Sequence, residues 1–534
     1  MSGGASLRKD ASPGDGAPFG RVLVANRGEI ALRIIRACHD LGMTAIAVYS
    51  DVDRDAAHVQ AADAAYRIGP GAAGESYLNI ERIVAVAREA KADAIHPGYG
   101  FLSERAAFAA AVESAGLAFV GPGSATIARL GDKLAARRLA RDVGVAVVPG
   151  TLEPIPVNSP DEVPGIIEAA EGIGFPLLVK AAAGGGGRGI RRVERAVDLP
   201  AALAAGSGEA RAAFGDGSVY IEREIRPARH VEVQLLGDRA RTVVAIGERD
   251  CSTQRRHQKL VEEAPAPGLS DELRRDLLSA ATRLGQAAEL ENAATAEFLL
   301  DPSGAFWFLE VNTRLQVEHG VTELVSGLDI VREQFLLAAG RPLSAEARAA
   351  AEAAARPGRH AIEVRLAAED PLGFTPAPGR VGRWTPPGGP GIRVDDGIRP
   401  GDRVTADYDP LFAKILAVGE SREIALERLT TALDATVITG LQSTLPFHRW
   451  LLRDAAFRSG DLSTELVAER WDPIAADERG RALAKAAAIA AAAVAGAGPQ
   501  GARAATPRWP ELDPGPTPGW TATAHEEAVD RWPT

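Results

Sequence analysis

The 534-residue sequence has only two cysteines and two methionines, and aromatic residues make up 5% of it. Cys38 and Cys251 lie far apart, which excludes a disulfide framework and a zinc-binding spacing and fits a reducing compartment. No apolar run reaches the roughly 20 residues of a membrane-spanning helix, since the longest, at 486–498, is mostly alanine. The net charge of −11 argues against the clustered cations of nucleic-acid binding. We therefore expect a cytoplasmic protein that binds neither membranes nor nucleic acids.

The length of the chain indicates several domains, because single hydrophobic cores stop growing at roughly 250–300 residues. Residues 1–19 are polar and rich in Gly, Pro and Ser, which predicts a disordered leader and not a signal peptide. Residues 474–534 are rich first in Ala and then in Pro, so we expect marginal helix followed by disorder. The units predicted between them are an N-terminal domain (20–132), a central domain (133–342) with a smaller unit at about 152–222, and a β-rich C-terminal domain (357–466).

Residues 21–50 follow a strand–helix–strand pattern, which predicts a βαβ unit of a parallel sheet. The unit lacks G-x-G-x-x-G, so the sequence does not support a dinucleotide site. Pro97 and Gly98 break the chain after another predicted strand, and such turns line ligand crevices in open α/β sheets. Apolar residues at helical spacing also predict single helices over 126–142 and 321–340.

A glycine-rich loop joins two predicted strands, the first of which ends at Lys180. Its glycines are Gly184, Gly185, Gly186, Gly187 and Gly189. The order strand–loop–strand and the absence of G-x-x-x-x-G-K-[ST] exclude a Walker P-loop. Successive glycines still let backbone N–H groups converge on a phosphate. A lid over nucleotide phosphates and a plain flexible turn are equally open interpretations.

A dense polar run occupies residues 251–267, between a predicted strand and a Pro-rich turn. Arg255, His257 and Lys259 would share one side of an extended chain, so that several donors could face one anion. A solvated basic loop is the alternative.

Two short apolar runs flank Asp301–Gly304, and the Pro and Gly within this segment predict a tight turn and a β-hairpin. If Asp301 faces Gly304, Glu297 and Glu310 become diagonal cross-strand neighbours on one face. The opposite face is then wholly apolar: Ala296, Phe298, Leu300, Ala305, Trp307, Leu309 and Val311. Two carboxylates held so close repel unless a cation lies between them, and Mg²⁺ prefers such oxygen ligands. The alternative is a half-exposed hairpin with solvated glutamates.

Taken together and in this order, the motifs resemble those of biotin carboxylases, ATP-grasp enzymes of biotin-dependent acyl-CoA carboxylases and pyruvate carboxylase. The resemblance runs from about Arg21 to about Trp471. It rests on the segments ANRGEIALRIIRAC, HPGYGFLSE, GDK (131–133), GGGGRG, RHVEVQ, ERDCSTQRRHQKLVEEAPAP, EFL, LEVNTRLQVEH and AIEVR with AEDP. It implies an α/β protein of ATP-grasp architecture, with an N-terminal parallel-sheet domain, a Gly-rich lid subdomain and a mixed β-rich C-terminal domain of α+β character.

The resemblance implies a ligase that uses ATP, Mg²⁺ (or Mn²⁺) and bicarbonate to carboxylate biotin. The positions that match nucleotide-binding residues are Lys133, Lys180, the five loop glycines, Glu222 at the adenine, His230, Gln254 and His257. Glu297 and Glu310 match the metal ligands, in agreement with the hairpin geometry, and Asn312 stands beside them.

The same resemblance implies a bicarbonate and biotin site. The positions that match its bicarbonate residues are Arg314, Gln316, Val317 and Lys259. Glu318 takes the place of the general base, and Arg365 takes that of the cation beside the biotin ureido oxygen. Tyr99 and Gly100 resemble part of the biotin pocket. Without the resemblance, Arg365 could equally be an ordinary surface arginine.

The chain contains only Met1 and Met43 and so lacks the Met-Lys-Met type of biotinylation site. We therefore expect a biotin carboxyl carrier protein and a carboxyltransferase on other chains, and a homodimer as in the family. Three functions are compared: a biotin carboxylase subunit of an acyl-CoA carboxylase or of pyruvate carboxylase, another ATP-grasp ligase joining a carboxylate to an amine or thiol, and a non-catalytic nucleotide-binding subunit. The dependence of ATP turnover on bicarbonate and biotin distinguishes them.

Overall fold

The computed structural model describes residues 16–155, 163–182 and 190–478, with a few positions between 482 and 490. Most of the predicted leader, the five lid glycines and most of the predicted tail lie outside the described residues. Among the described helices, none has the length and apolar character that a membrane crossing requires.

The N-terminal part is built on a five-stranded parallel sheet with the strand order β3-β2-β1-β4-β5. Its elements are β1 (Arg21–Val24), α1 (Gly28–Asp40), β2 (Thr44–Ser50), α2 (Ala57–Ala61), β3 (Ala64–Gly69), α3 (Ile80–Glu89), β4 (Ala94–His96), α4 (Ala106–Ser114), β5 (Ala118–Phe119) and α5 (Ser124–Gly131). The predicted βαβ unit is confirmed. The strands form because each is a short run of mostly apolar residues, and hydrophobic cores cover both faces of the sheet.

A smaller unit follows, with a three-stranded antiparallel sheet in the order β7-β6-β8. Its elements are α6 (Lys133–Asp142), which leads into it, α7 (Val163–Ile173), β6 (Leu177–Ala181), β7 (Arg191–Val193), α8 (Leu199–Phe214) and β8 (Val219–Arg223). The predicted strands on either side of the glycine loop are confirmed as the antiparallel pair β6 and β7.

The candidate site lies on an eight-stranded antiparallel sheet with the order β13-β12-β9-β10-β11-β14-β19-β17. The elements from this part of the chain are β9 (Arg229–Gly237), β10 (Val243–Arg255), β11 (Gln258–Ala264), α9 (Asp271–Ala287), β12 (Asn292–Leu300), β13 (Phe306–Asn312), α10 (His319–Ser326), α11 (Ile330–Ala338) and α12 (Ala345–Ala353).

The remaining elements extend the same sheet and cover it. They are β14 (His360–Ala367), β15 (Gly379–Arg380), β16 (Trp384–Thr385), β17 (Ile392–Asp396), β18 (Arg403–Val404), β19 (Leu411–Gly419), α13 (Arg422–Ala435), β20 (Val437–Ile438), α14 (Leu445–Leu451), α15 (Ala455–Ser459) and α16 (Leu466–Arg470). Strands β11 and β14 pair, so the predicted central and C-terminal domains share one continuous sheet. The boundary between them stays a prediction.

Both of the long helices predicted from apolar periodicity are divided in two, and this prediction was wrong. The first breaks at Asp132, whose side chain accepts a hydrogen bond from the Ala135 N–H and begins α6. The second breaks after Gly327, which has a φ of 75°, and Asp329 caps the next helix. Both acidic residues satisfy backbone donors that a new helix leaves free, and apolar spacing does not report this.

The predicted hairpin is confirmed, but its register is not. The Asp301 N–H donates to the Ala305 carbonyl, not to Gly304, and a bulge interrupts the pairing between Glu297 and Phe298. Phe306 and Phe308 therefore share the core face with Phe298, at ring-centroid distances of 5.6 and 6.1 Å. The predicted positions of Trp307 and Leu309 on the core face were wrong.

The bulge has a second effect, on the opposite face. Phe308 and Glu310 are two residues apart and would point the same way in a regular strand. The extra residue in β13 reverses this, so Phe308 is buried in the core while Glu310 pairs directly with Glu297. The two carboxylates are direct rather than diagonal cross-strand partners.

The corrected register predicts which aromatic residue of β13 stabilises the core. Phe308→Ala should lower the free energy of unfolding by about 3–5 kcal/mol, because a fully buried ring is lost. Trp307→Ala, the matched truncation one residue earlier, should cost clearly less, because Trp307 is half-buried on the other face. Denaturant unfolding of the two variants provides the comparison. A larger loss for Trp307→Ala would support the register with Trp307 in the core.

Candidate active site

A row of four charged residues crosses the large sheet. Glu310 of β13 pairs with Glu297 of β12, which pairs with Glu232 of β9, which pairs with Arg249 of β10. Neighbouring strands lie about 4.8 Å apart, so three carboxylates follow one another at that spacing. Such a row is stable only if cations lie close to it.

The first of these cations is Lys259 on β11. Its Nζ lies 2.5 Å from Glu232, 2.9 Å from Glu297 and 2.7 Å from Glu318. Burial alone would lower the pKa of Lys259, but its three carboxylate partners raise it well above the usual range. Lys259 is therefore a permanent positive charge that ties three acidic residues together.

The second cation is Arg249, which is fully buried. Its Nε donates to Glu232 at 2.5 Å, and its other nitrogens donate to Gln234, Thr295 and Thr322. The planar guanidinium thus holds Glu232 from the side opposite Lys259. Neither Glu232 nor Arg249 was predicted as a site residue. The alternation of His230, Glu232 and Gln234 in RHVEVQ is the signal that could have revealed the polar face of β9.

Glu297 is held by contacts from four different side chains. Its Oε1 accepts from Lys259, from the Asn312 amide at 2.8 Å and from the Gln316 amide at 3.2 Å. Its Oε2 lies 2.9 Å from the His230 imidazole. Although burial opposes it, Lys259 and His230 together lower the pKa of Glu297, and Glu297 in turn raises that of His230.

Glu310 has fewer contacts, since its carboxylate is one-third exposed and forms, within the part of the chain that the structure describes, a single ion pair, with the Lys133 ammonium at 3.7 Å. Paired carboxylates, one of them partly free, provide the hard oxygen donors that Mg²⁺ binds. Glu297 and Glu310 therefore fit the predicted metal, and the structure brings predicted Asn312 into contact with Glu297.

Glu318 lies at the N-terminal end of α10 and is fully buried. Its Oε1 accepts from Lys259, and its Oε2 accepts from Arg365 Nη2 at 3.0 Å. Burial opposes ionisation, but Lys259 and Arg365 hold the pKa of Glu318 well below its usual range. The predicted base is thus an ionised carboxylate between two cations, and Arg365 is a largely buried contact of this carboxylate and not an ordinary surface arginine.

The predicted bicarbonate residues converge beside this carboxylate. Arg314 donates to the side chains of Asn312 at 3.0 Å and Gln316 at 2.7 Å, and its Nε lies 3.2 Å from Glu104. The Val317 carbonyl accepts from the buried Lys414 ammonium at 2.7 Å, which fixes the backbone at this position. The planar, multiply anchored guanidinium of Arg314 can present donors to a small anion.

Three of the predicted nucleotide-binding residues lie on strands of the smaller unit and of the large sheet: Lys180, Glu222 and Gln254. Lys180 of β6 is in close contact with Glu222 of β8, which also accepts from Arg137 at 3.0 Å. The side chain of Glu222 is therefore occupied by two cations. Gln254 is buried near the end of β10, paired with Lys259 across the β10–β11 hairpin.

The predicted common side of Arg255, His257 and Lys259 was wrong. Residues 256 and 257 form the turn of a hairpin and both have positive φ, so the chain reverses there. Arg255 pairs with Gln258 and packs its guanidinium 4.7 Å above the Phe374 ring. His257 lies at the tip, where burial and the nearby Lys180 lower its pKa.

The predicted biotin residues Tyr99 and Gly100 lie in the turn after β4. The Tyr99 hydroxyl donates to buried Glu29 at the start of α1, in close contact. Burial raises the pKa of Tyr99 well above its usual range, and Glu29 adds to this, while Arg365 opposes it. Gly100 is exposed and has a φ of 70°. The turn therefore borders the site on the side of Arg365.

Comparison with known proteins gives matches along most of the chain. Three family descriptions match: "Biotin carboxylase, N-terminal domain" over residues 18–127, "Carbamoyl-phosphate synthase L chain, ATP binding domain" over 132–346, and "Biotin carboxylase C-terminal domain" over 363–469.

Individual relatives agree with these families. A biotin carboxylase of Nostoc sp. is 46% identical over 84% of this chain and 99% of its own. A pyruvate carboxylase subunit of Methanothermobacter thermautotrophicus is 43% identical over 86% and 92%. A solved structure, the biotin carboxylase domain dimer of Hydrogenobacter thermophilus 2-oxoglutarate carboxylase with MgADP, ADP and bicarbonate, has a TM-score of 0.79 and 41% identity over 84% and 97%.

The charge cluster predicts a change in the sign of the pH dependence when its lysine is removed. In Lys259→Met, Glu232, Glu297 and Glu318 lose their shared cation, which should cost about 3–5 kcal/mol at neutral pH. Burial, the largest single influence on Glu297 and Glu318, would then raise the folded-state pKa values of these two carboxylates above the unfolded ones, so the stability of the variant should fall as pH rises through about 5–8. The wild-type protein should instead lose stability on acidification, because Glu318 has a lowered pKa.

Thermal melting between about pH 3 and 8 in the presence of a chelator measures these slopes, the wild-type loss lying below about pH 5 and that of the variant above it. Lys133→Met is the matched control, since this partly exposed lysine contacts one carboxylate at 3.7 Å and should change the melting temperature little. Equal losses in the two variants, independent of pH, would contradict the role of Lys259.

Proposed function

The chain belongs to the biotin carboxylase family, and we propose from this that it is the ATP-dependent ligase that carboxylates biotin with bicarbonate. One observation carries the proposal. Lys259 joins Glu297, the proposed metal ligand, to Glu318, the proposed base, so that the ATP and bicarbonate subsites share one ammonium group.

ATP is bound, in this proposal, by lysines beside the large sheet and by carboxylates that hold its Mg²⁺. Lys133 and Lys180 neutralise phosphate charge, the glycines at 184–189 cover the phosphates, and the β8 strand beside Glu222 receives the adenine. His230, Gln254 and His257 complete the nucleotide contacts. Mg²⁺ held by Glu297 and Glu310 would withdraw charge from phosphate oxygens, which favours phosphoryl transfer.

Bicarbonate is held by Arg314, with Gln316 and the Val317 backbone beside it. Glu318 accepts the bicarbonate proton, which it can do because it is ionised. The bicarbonate oxygen then bonds to the γ-phosphorus while the bond to ADP breaks, giving carboxyphosphate. Lys259 stays charged throughout and offsets the negative charge that collects between the two subsites.

Biotin receives the carboxyl group in the second step. Carboxyphosphate separates into CO₂ and phosphate, the phosphate takes the N1′ proton of biotin, and N1′ bonds to CO₂. Arg365 stabilises the negative ureido oxygen, and Tyr99 and Gly100 border the biotin. Closure of the lid would exclude water from the labile intermediate.

The biotin is proposed to be attached to a separate carrier protein, with an acyl-CoA carboxylase as the complete enzyme and a homodimer as the form of this chain. The Hydrogenobacter relative was solved as a dimer, which supports the homodimer. A 2-oxo acid is the second candidate acceptor, since the pyruvate carboxylase relative is nearly as similar as the biotin carboxylase of Nostoc. Identification of the biotinylated protein that copurifies with the chain decides between them.

ADP release provides the test of the reaction itself. With ATP, Mg²⁺ and bicarbonate, addition of free biotin should increase ADP release, and omission of bicarbonate should abolish the increase. A rate that is indifferent to both biotin and bicarbonate would end the proposal and leave another ATP-grasp ligase or a nucleotide-binding protein without catalytic activity.

Glu318→Ala should abolish biotin-dependent ADP release while ATP binding stays largely intact, because Glu318 contacts the bicarbonate side of Lys259. Glu81→Ala, an exposed glutamate of α3, is the matched control and should retain full turnover. Nucleotide binding is measured separately by equilibrium titration. Loss of ATP binding in Glu318→Ala would mean that the carboxylate serves the nucleotide instead.

A further inference from the structure

Two buried carboxyl groups face each other behind Arg365. Glu262 of β11 and Glu363 of β14 are paired directly across the antiparallel ladder, and both are fully buried. Side chains of directly paired residues leave the sheet on the same face, about 5 Å apart. Neither residue belongs to the nucleotide, metal or bicarbonate groups described above.

Glu262 contacts Arg365. Its Oε1 lies 2.6 Å from Arg365 Nη2, and the same nitrogen donates to Glu318 at 3.0 Å. Arg365 and Glu363 are two residues apart on β14, so both side chains point to the face that carries Glu262. One guanidinium nitrogen is therefore shared by the proposed base and by a carboxyl group with no role assigned so far.

Among the described residues, no positively charged side chain is available to Glu363 alone. Neither of its carboxyl oxygens has a hydrogen-bond partner among the described residues. The nearby Lys414 of β19 is already committed to the Val317 carbonyl at 2.7 Å and lies 3.4 Å from Glu29. Gly320 closes the space from the other side, since a Cβ there would lie 3.1 Å from Glu363 Oε2.

The other titratable groups nearby do not remove the charge repulsion between Glu262 and Glu363. Those that face it are Cys251 of β10, Lys259 of β11, Glu318 before α10, Arg365 of β14 and Lys414 of β19. Lys259 is shared by three other carboxylates. Burial raises the pKa of Glu262 to about 7, against the pull of Arg365, and burial raises that of Glu363 well above its usual range.

We propose that Glu262 and Glu363 carry a single proton between them and that Glu262 is a positioning residue for Arg365. Two like charges this close in a dry interior cannot both be ionised, so one carboxyl group keeps a proton while the other faces the guanidinium. Glu262 then holds the Arg365 guanidinium in place beside Glu318, with the guanidinium aimed at biotin. This inference rests on the proposed function only through the role of Arg365.

The proton is tested by infrared spectroscopy of the full chain without ligands. A protonated carboxyl group has a C=O stretch that is well separated from the carboxylate bands. At neutral pH the wild-type spectrum minus that of Glu363→Gln should contain such a band, because Glu262 ionises beside Arg365 once its partner is an amide. Glu263→Gln is the matched control: this buried carboxylate of β11 pairs with His360 and Arg422, and its loss should remove no such band. Absence of the band from the wild-type difference spectrum would overturn the shared proton.

The positioning role is tested by kinetics with free biotin. Glu262→Gln weakens a charge-assisted contact and should raise KM for biotin about tenfold, with KM for ATP unchanged. Because the two residues act as one unit, the double variant Glu262→Gln/Glu363→Gln should behave like Glu262→Gln alone. A merely structural effect would raise both KM values, and a double variant with a clearly higher KM for biotin than Glu262→Gln alone would contradict the pair.

The outcomes also separate this inference from the proposed function. If the wild-type protein does not carboxylate biotin, the proposed function fails, while the infrared difference still reports on the proton. If wild-type activity is normal and Glu262→Gln leaves KM for biotin unchanged, only the positioning role is overturned. Thermal melting of each variant confirms that folded protein is compared.

Discussion

The structure of the site depends on one ammonium group, that of Lys259, which three buried carboxylates share. A carboxylate or an ammonium ion is costly to remove from water, and a buried ion pair is stable only when each charge has several close partners. Lys259 provides this for Glu232, Glu297 and Glu318 at distances of 2.5–2.9 Å. It thereby fixes β9, β11, β12 and the start of α10 relative to one another.

The same arrangement recurs on either side of Lys259. Arg249 is the second cation that contacts Glu232, and Arg365 contacts both Glu318 and Glu262. Each cation contacts at least one carboxylate that is itself held by another group, so the charges form a connected network in a dry part of the sheet. Because the donors are already oriented, little reorganisation is needed when charge develops on a substrate. The stability of the sheet and the proposed chemistry thus have the same physical origin.

Much of the fold and of the site could be predicted from the chain alone. The βαβ unit, the strands around the glycine loop and the hairpin at Asp301 follow from local periodicity and turn residues, which short-range sterics control. The resemblance named Glu297, Glu318 and Arg365, and the structure brings them into one cluster. The register of the hairpin was not predictable, because the bulge that places Phe308 in the core and Glu310 opposite Glu297 goes with contacts from outside the hairpin. The Phe308 N–H donates to the Ala146 carbonyl, and its ring is buried in a core shared with α9.

The sequence by itself determined the order and type of most elements and the residue types of the site, because backbone propensity, apolar period and motif spacing are local properties. Only the tertiary structure decided which charges meet. It reversed the chain at residues 256–257 and separated Arg255 from Lys259, and it paired Glu262 with Glu363 from strands about 100 residues apart. Burial then set the ionisation of these groups, since the free energy of a charge depends on its surroundings in space and not on its neighbours in sequence.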